Sequence, residues 1–346
     1  MLRDLQLRNF RCFESTAVEF QDGFNFIVGA NGQGKTTLLE AACVLLRLQS
    51  QRTPNLSPAV RAGERSFVLS GHAEEHRLQF YYSTFRRKVA FDGVEQRDPT
   101  EYLRLARVVS FANHDLDLVR GPAEMRRRYL DFVGAQVDAR YRPALRAYER
   151  ALRSRNALLK SAAPRVRELE AYTEPLVRSG ALLRELRDGL VRRLTPSAES
   201  SHCAISGGKE RLVLQYAPGN EENFLAHLER SRAHDERLRL TTVGPHRDDL
   251  RLQLQEMPAA QFASEGQQRT IALALKLAQA RIFAEETGAG PLLLIDDIFG
   301  ELDSERRNAL LAHLPNDSQK LVTATSLDWR TANCEGPVLE VERLKS

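Results

Sequence analysis

An apolar run, Phe24 to Val28, gives way to Gly29-Ala30-Asn31-Gly32-Gln33-Gly34-Lys35-Thr36 and then to a helix-forming stretch that ends at Leu48. Few folds accommodate that order: a strand that turns through glycines into a helix belongs to an α/β sheet. The glycines let the backbone turn tightly enough for its N–H groups to surround phosphate oxygens, and the helix start adds partial positive charge. In that geometry Lys35 reaches the β- and γ-phosphates of a nucleoside triphosphate and Thr36 ligates Mg²⁺. Gly29, Ala30, Asn31, Gly32, Gln33, Gly34 and Thr37 are the remaining candidate contacts. A glycine-rich turn with a chance lysine is the bland alternative, and the strand and helix on either side weigh against it.

Far along the chain, Leu292-Leu293-Leu294-Ile295-Asp296-Asp297 is an apolar strand ending in two carboxylates. Asp296 is placed to hold Mg²⁺ through water, and Asp297 to orient or deprotonate an attacking water. About thirty residues earlier, Ser264-Glu265-Gly266-Gln267-Gln268-Arg269 opens a long helix. Locally this is a capping box, Ser264 with Gln267, which needs no ligand. Gly266, a poor helix former, and the anion-attracting helix start favour a second use, with Ser264 as a γ-phosphate ligand and Gly266 and Gln267 beside it.

The rest of the pattern is strand-rich at both ends and helix-rich between. Alternation or apolar runs predict strands at Leu2–Leu7, Ala17–Phe20, Phe67–Gly71, Arg77–Ser83, Lys88–Phe91, Arg107–Phe111, Arg211–Tyr216, Leu250–Gln255 and Lys320–Val322, and a helix at Glu265–Glu286. From Glu124 to Arg193 the pattern is helical, with Pro143, Pro164, Pro175 and Pro196 as boundaries or kinks, which predicts a bundle of short helices and no long coiled-coil arm. The boundaries expected are 1–112, 113–205 for the helical insertion, and 206–346.

The chain of 346 residues is long enough for one large domain with an insertion or for two ordinary domains. Cys12, Cys43, Cys203 and Cys334 are too scattered for a disulfide scaffold or a metal site, so a reducing cytoplasm is expected. No apolar run approaches the roughly 20 residues of a membrane span. Net charge is only +4, but Arg120 to Arg193 holds 17 Arg and one Lys against nine Asp and Glu, a net of +9. That favours a polyanion partner; a solvated face or an acidic protein partner is the alternative.

Ser264 to Arg269 resembles the signature motif of ABC-type ATPases, and Gly300-Glu301-Leu302-Asp303 resembles their D-loop. Within that superfamily the chain resembles the RecF family of bacterial recombination-repair proteins over essentially its whole length. The segments that carry the likeness are Leu5 to Phe13 with Arg8-Asn9-Phe10-Arg11; the glycine loop; Gln51-Arg52-Thr53; Gly121 to Asp131 with Arg126-Arg127-Arg128; Thr242 to Asp249 with Gly244-Pro245-His246-Arg247-Asp248-Asp249; and the signature. The resemblance implies an ABC-type ATPase head with an antiparallel or mixed β lobe and an inserted helical domain. It also implies ATP and Mg²⁺ as cofactors, a homodimer formed on ATP, and a signature serine that contacts ATP held by the other copy. DNA, as duplex and as single-strand/double-strand junctions, RecO, RecR and RecA are the implied partners.

Two departures bear on mechanism. ABC ATPases generally carry Glu where this chain has Asp297, and the shorter carboxylate implies slow hydrolysis. The switch position falls in Thr323-Ala324-Thr325-Ser326, so a hydroxyl replaces the usual imidazole. Asn113-His114-Asp115-Leu116 departs from the family's Pro-Glu-Asp-Leu, so no Q-loop residue is assigned. His246 to Asp249 read as a polar turn with Asp and Arg paired. Other P-loop classes fit less well: a transporter motor requires membrane coupling, a structural SMC protein long coiled coils, and a small-molecule kinase lacks the signature serine.

Overall fold

In the computed structural model of the chain, which describes every residue except 54, 162–165, 209, 332–333 and 345–346, the alternating segments near the N-terminus pair antiparallel. β1 (Asp4–Phe10) and β2 (Phe13–Glu19) form a hairpin, and β3 (Phe24–Val28) leads into α1 (Lys35–Arg47). β4 (Ser66–Ala73), β5 (His76–Ser83), β6 (Arg87–Phe91) and β7 (Val94–Gln96) extend the hairpin to a sheet of order β2-β1-β4-β5-β6-β7, and β8 (Val108–Ala112) follows. Leu5 and Leu7 are buried while Gln6 and Arg8 are exposed, as expected of a sheet with one wet face.

The middle of the chain carries α2 (Asp117–Arg120), α3 (Ala123–Val137), α4 (Tyr141–Leu159), α5 (Val166–Ser206), β9 (Leu212–Ala217), α6 (Phe224–Arg230), α7 (Arg232–Leu238), β10 (Asp249–Leu254), β11 (Met257–Pro258) and α8 (Ala259–Phe262). Then come α9 (Glu265–Thr287), β12 (Leu292–Asp296), α10 (Ser304–His313), β13 (Lys320–Ala324) and β14 (Val338–Glu340). Two compact units result, Met1–Asn113 with Gln279–Ser346, and His114–Ala278.

In the first unit a second sheet has the order β14-β3-β13-β12-β8, with every pairing parallel. A parallel sheet is covered on both faces, so its central strands are apolar throughout, and Leu293, Leu294, Ile295, Leu321 and Val322 are fully buried. The register sets Val28 beside Ala324 and Thr323 beside Asp296. Parallel strands present their C-terminal ends at one edge. The turn after β3 and the acids that end β12 therefore open onto the same edge.

The second unit covers the helical insertion from residue 114 and continues through β9, β10, β11 and the start of α9. It corrects one expectation. Pro143 lies in the first turn of α4, but Pro175 and Pro196 lie inside α5, which runs for 41 residues; Pro164 is outside the described residues. Each proline strips a hydrogen bond from the carbonyl four residues earlier. Those carbonyls belong to Ala171 and Arg192, both exposed, where water can take the donor's place. Leu169, Leu176, Leu183 and Leu190, spaced by seven, are all buried, and Leu176 and Leu183 pack with Tyr141, Ala144, Tyr148 and Ala151 of α4. At about 1.5–3 kcal/mol per buried leucine the seam matches or exceeds the cost of two helix prolines at about 3 kcal/mol each.

Candidate nucleotide site

The loop after β3 is shaped by its glycines. Gly32 and Gly34 have φ of 80° and 107°. A Cβ on Gly34 would lie 2.9 Å from both Cys12 Sγ and Phe13 Cζ, so this position excludes a side chain by conformation and by space. Gly34 O accepts from Thr37 N and Leu38 N, which starts α1 without a side-chain cap. Thr37 is buried. Gln33 folds back over the loop, its Oε1 accepting from Ala30 N at 2.7 Å.

Lys35 is 6% exposed and turns its ammonium into the loop, donating to Gly29 O at 2.7 Å, Ala30 O at 3.1 Å and Asn31 Oδ1 at 3.4 Å. Thr36 Oγ1 donates to Asp296 Oδ1 at 2.8 Å. Thr323 Oγ1 reaches the same oxygen at 2.8 Å and accepts from Asp297 N at 2.9 Å. The Thr323 hydroxyl thus ties the Asp296 carboxylate to the backbone of Asp297 just beyond β12.

Asp297 has φ 53°, in the left-handed region that few non-glycine residues occupy, Asp among the commonest. Burial pushes its carboxyl above the usual range; Lys35 opposes the shift, while Asp296 and Glu301 add to it. In the D-loop segment Asp303 caps α10, accepting from Arg306 N at 2.8 Å, and Glu301 accepts from Asn113 Nδ2.

Ser264, Gly266 and Gln267 stand in the second unit as a set of their own. The capping box is present: Ser264 N donates to Gln267 Oε1 at 2.6 Å and Gln267 N to Ser264 Oγ at 3.3 Å. Gln267 is also held from outside the helix, its Nε2 donating to Glu210 Oε1 at 2.6 Å. Ser264 itself is exposed.

The family described as RecF/RecN/SMC N terminal domain matches residues 1–333. The chain belongs to this family. Among its curated relatives, the DNA replication and repair protein RecF of Synechococcus sp. (strain JA-2-3B'a(2-13)) is 36% identical over 94% of this chain and 91% of its own. That of Symbiobacterium thermophilum is 36% identical over 94% and 92%. The solved structure of the recombination mediator protein RecF with ATP in the RecFOR pathway superposes with a TM-score of 0.88 at 30% identity, covering 98% of this chain and 95% of that one. An Smc head bound to the C-winged helix domain of ScpA matches at TM-score 0.54 and 15% identity, a likeness of fold alone. The α/β head with an antiparallel lobe and a helical insertion, and no long coiled-coil arm among the described residues, is the architecture expected from the sequence.

RecF-like segments outside the nucleotide motifs are explained by packing. Glu40 of α1 is fully buried and accepts from Arg11 Nε at 3.0 Å and Nη2 at 2.8 Å, from Arg52 Nη1 at 3.3 Å and from Ser50 Oγ at 2.6 Å. One carboxylate on α1 therefore gathers two of the segments that carry the family likeness; nothing in the spacing of Arg11, Glu40 and Arg52 announces it. Asp248, also fully buried, accepts from Arg187 Nη1 at 2.7 Å, Gly219 N at 2.7 Å and Tyr216 Oη. Asp249 pairs with Arg126. His246 Nδ1 faces Tyr148 Oη at 2.6 Å and Nε2 faces Thr241 O at 2.9 Å; the carbonyl can only accept, so Nε2 carries a proton, and burial disfavours a second one on the ring. The expected polar turn with Asp and Arg paired is present.

The same network absorbs part of the basic charge. Arg126 pairs with Asp249, Arg127 donates to Asp248 O, Arg155 pairs with Asp235 and Arg187 with Asp131 and Asp248. Of the three consecutive arginines only Arg128 is well exposed, paired with Glu124. Among the described residues no helix is long and apolar enough to cross a membrane.

Proposed function

We propose that this chain is an ATP-switched DNA-repair protein of the RecF type, whose two copies close on ATP, hold DNA while closed and separate after hydrolysis. The observation that carries the reading is the meeting of Thr36 and Asp296 at the mouth of the glycine loop. Hydroxyl and carboxylate oxygens suit Mg²⁺, which takes few protein ligands and completes its shell with phosphate and water. Thr36 and Asp296 would hold the ion, which when bound would neutralise charge on the phosphates.

Lys35 would leave the loop carbonyls for the β- and γ-phosphates, and the N–H groups of residues 29–37 would surround them. Asp297 would orient the attacking water and take its proton at the carboxylate, with Thr323 fixing its position. Ser264, Gly266 and Gln267 would meet the γ-phosphate of the nucleotide on the second copy. The carboxylate is one methylene shorter than the usual Glu, which favours slow turnover suited to timing. The RecF solved with ATP supports the nucleotide, and its naming in the RecFOR pathway, with relatives named for DNA replication and repair, supports DNA, RecO and RecR as partners and delivery of RecA to gapped or junction DNA as the outcome.

Sedimentation velocity with and without ATP–Mg²⁺ and duplex DNA tests this reading. The expected result is a monomer alone, a dimer with ATP, and a heavier complex when DNA is added to the dimer. A chain that hydrolyses ATP while monomeric at every nucleotide concentration would sink it.

A further inference from the structure

Two sets of basic residues in the helical unit contrast. Arg126, Arg155 and Arg187 are spent on buried or half-buried carboxylates. Arg146, Arg150, Arg153 and Lys160 of α4 and its C-terminal end are all exposed. Spaced by four, three and seven, they fall within an arc of about 80° on a helix that turns about 100° per residue, and they span roughly 21 Å of its length. The opposite face carries Tyr141, Ala144, Tyr148, Ala151, Arg155 and Leu159, all buried.

Arg146, Arg150 and Lys160 make no side-chain ion pair or hydrogen bond among the described residues; Arg153 lies 3.7 Å from exposed Glu149. A face that serves only solubility mixes signs at helical spacing, because opposite charges at i and i+4 support the helix and like charges weaken it. Here Arg146 and Arg150 are four apart and Arg150 and Arg153 three apart. Glu149, paired with Arg153, offsets only part of this repulsion, and the remaining like charges work against the helix that carries them, which is the mark of a surface kept for another purpose.

We infer that this outer stripe of α4 is a phosphate-tracking surface for duplex DNA, engaged through the backbone without regard to sequence. The inference rests on the DNA reading above and names the face that carries it. Guanidinium forks one helical turn apart suit successive phosphate oxygens, and the rigid packing of the buried face holds them in line. The stripe offers no aromatic side chain to stack on bases, which favours duplex over single strand.

The test is a salt titration of duplex binding, in the presence of ATP, for the full chain and for the combined variant Arg146→Gln, Arg150→Gln, Lys160→Gln. Glutamine keeps helix propensity, none of the three side chains has a partner among the described residues, and the like-charge repulsion is relieved, so helix content and melting temperature should not fall. Every phosphate that is no longer neutralised flattens the slope of log K against log salt by about 0.9, so the slope should fall by about 2.7, with affinity near 0.1 M salt down at least about tenfold. A variant whose slope equals the wild type's overturns the stripe while leaving DNA binding intact. If that variant instead loses binding to polyglutamate, the stripe is a docking face for an acidic protein. A wild-type chain that binds no duplex at any salt concentration overturns the DNA reading and the stripe with it.

Discussion

Thr36 and Asp296 are 260 residues apart in sequence and meet at 2.8 Å, hydroxyl on carboxylate. The contact exists because β3 and β12 are parallel strands separated only by β13, whose Thr323 secures the same carboxylate oxygen. Asp296 thus has two hydroxyl donors from two elements, and losing one leaves it partnered.

Thr36→Ala separates metal binding from folding. Thr323 still satisfies Asp296, so the loss of stability should be about 1 kcal/mol, the usual worth of one hydrogen bond. Nucleotide affinity should lose its dependence on Mg²⁺, the ratio of affinities with the ion and with chelator falling towards one. Calorimetric titration in both conditions measures this, and a ratio equal to the wild type's removes Thr36 from the metal site.

Lys35→Ala addresses the phosphates. The ammonium contacts only loop oxygens in this structure, and α1 starts through backbone contacts at Gly34, so the fold should survive. Charge-assisted hydrogen bonds contribute about 1.5–3 kcal/mol each, so ATP affinity should fall by about 100-fold or more. Unchanged affinity for a fluorescent ATP analogue would place the nucleotide elsewhere.

For Asp297 the backbone limits the choice of substitution. At φ 53° asparagine is tolerated and a β-branched residue is not. Asp297→Asn keeps the turn and removes the base, so hydrolysis should drop by about 100-fold while the ATP-bound dimer persists. Because burial raises the wild-type carboxyl's pKa, hydrolysis should decline as pH falls at a pH above the ordinary carboxylate range, where the base becomes protonated. A single-turnover pH profile flat from pH 7 to pH 4 would remove Asp297 from that role.

The sheet and its loop were legible because the motifs there are local. Phe24–Val28 matched its strand to the residue, and the strand read over Leu292–Asp297 runs one residue past β12, which ends on Asp296. The long α5 was missed because prolines speak locally while the buried leucines at 169, 176, 183 and 190 speak only over three heptad steps. The Glu40 hub was hidden for another reason: its three partners come from two loops, and no period links Arg11, Ser50 and Arg52 to a helix position. The partners of Arg126 and Arg127 were hidden because sequence cannot show that the start of β10 and the residue before it bring Asp249 and Asp248 to meet them.

Ser264→Arg isolates the contact between copies. Ser264 is exposed and its capping oxygen makes a long 3.3 Å bond, so the substitution costs about 1 kcal/mol of helix capping and leaves the unit folded. ATP should bind the single chain as before, while the bulky cation prevents closure. Sedimentation should show monomer at saturating ATP; a normal dimer would remove the signature from the interface.

His246 makes stability depend on pH. Burial pushes its pKa down to about 4, with Arg247 and Arg127 acting the same way and the Thr241 hydrogen bond opposing. The unfolded ring titrates near 6.5, so the unfolded state takes up the proton first as pH falls. The stabilisation is therefore complete above pH 6.5 and is lost progressively down to about pH 4, a total of about 3 kcal/mol. His246→Gln lowers stability at neutral pH by leaving Tyr148 or Thr241 poorly partnered, so the quantity to compare is the change between pH 7.5 and pH 4.5 within each protein. That change, from urea unfolding, should be smaller in the variant by about 2 kcal/mol. Equal changes in both proteins would mean that another group governs the acid response of this unit.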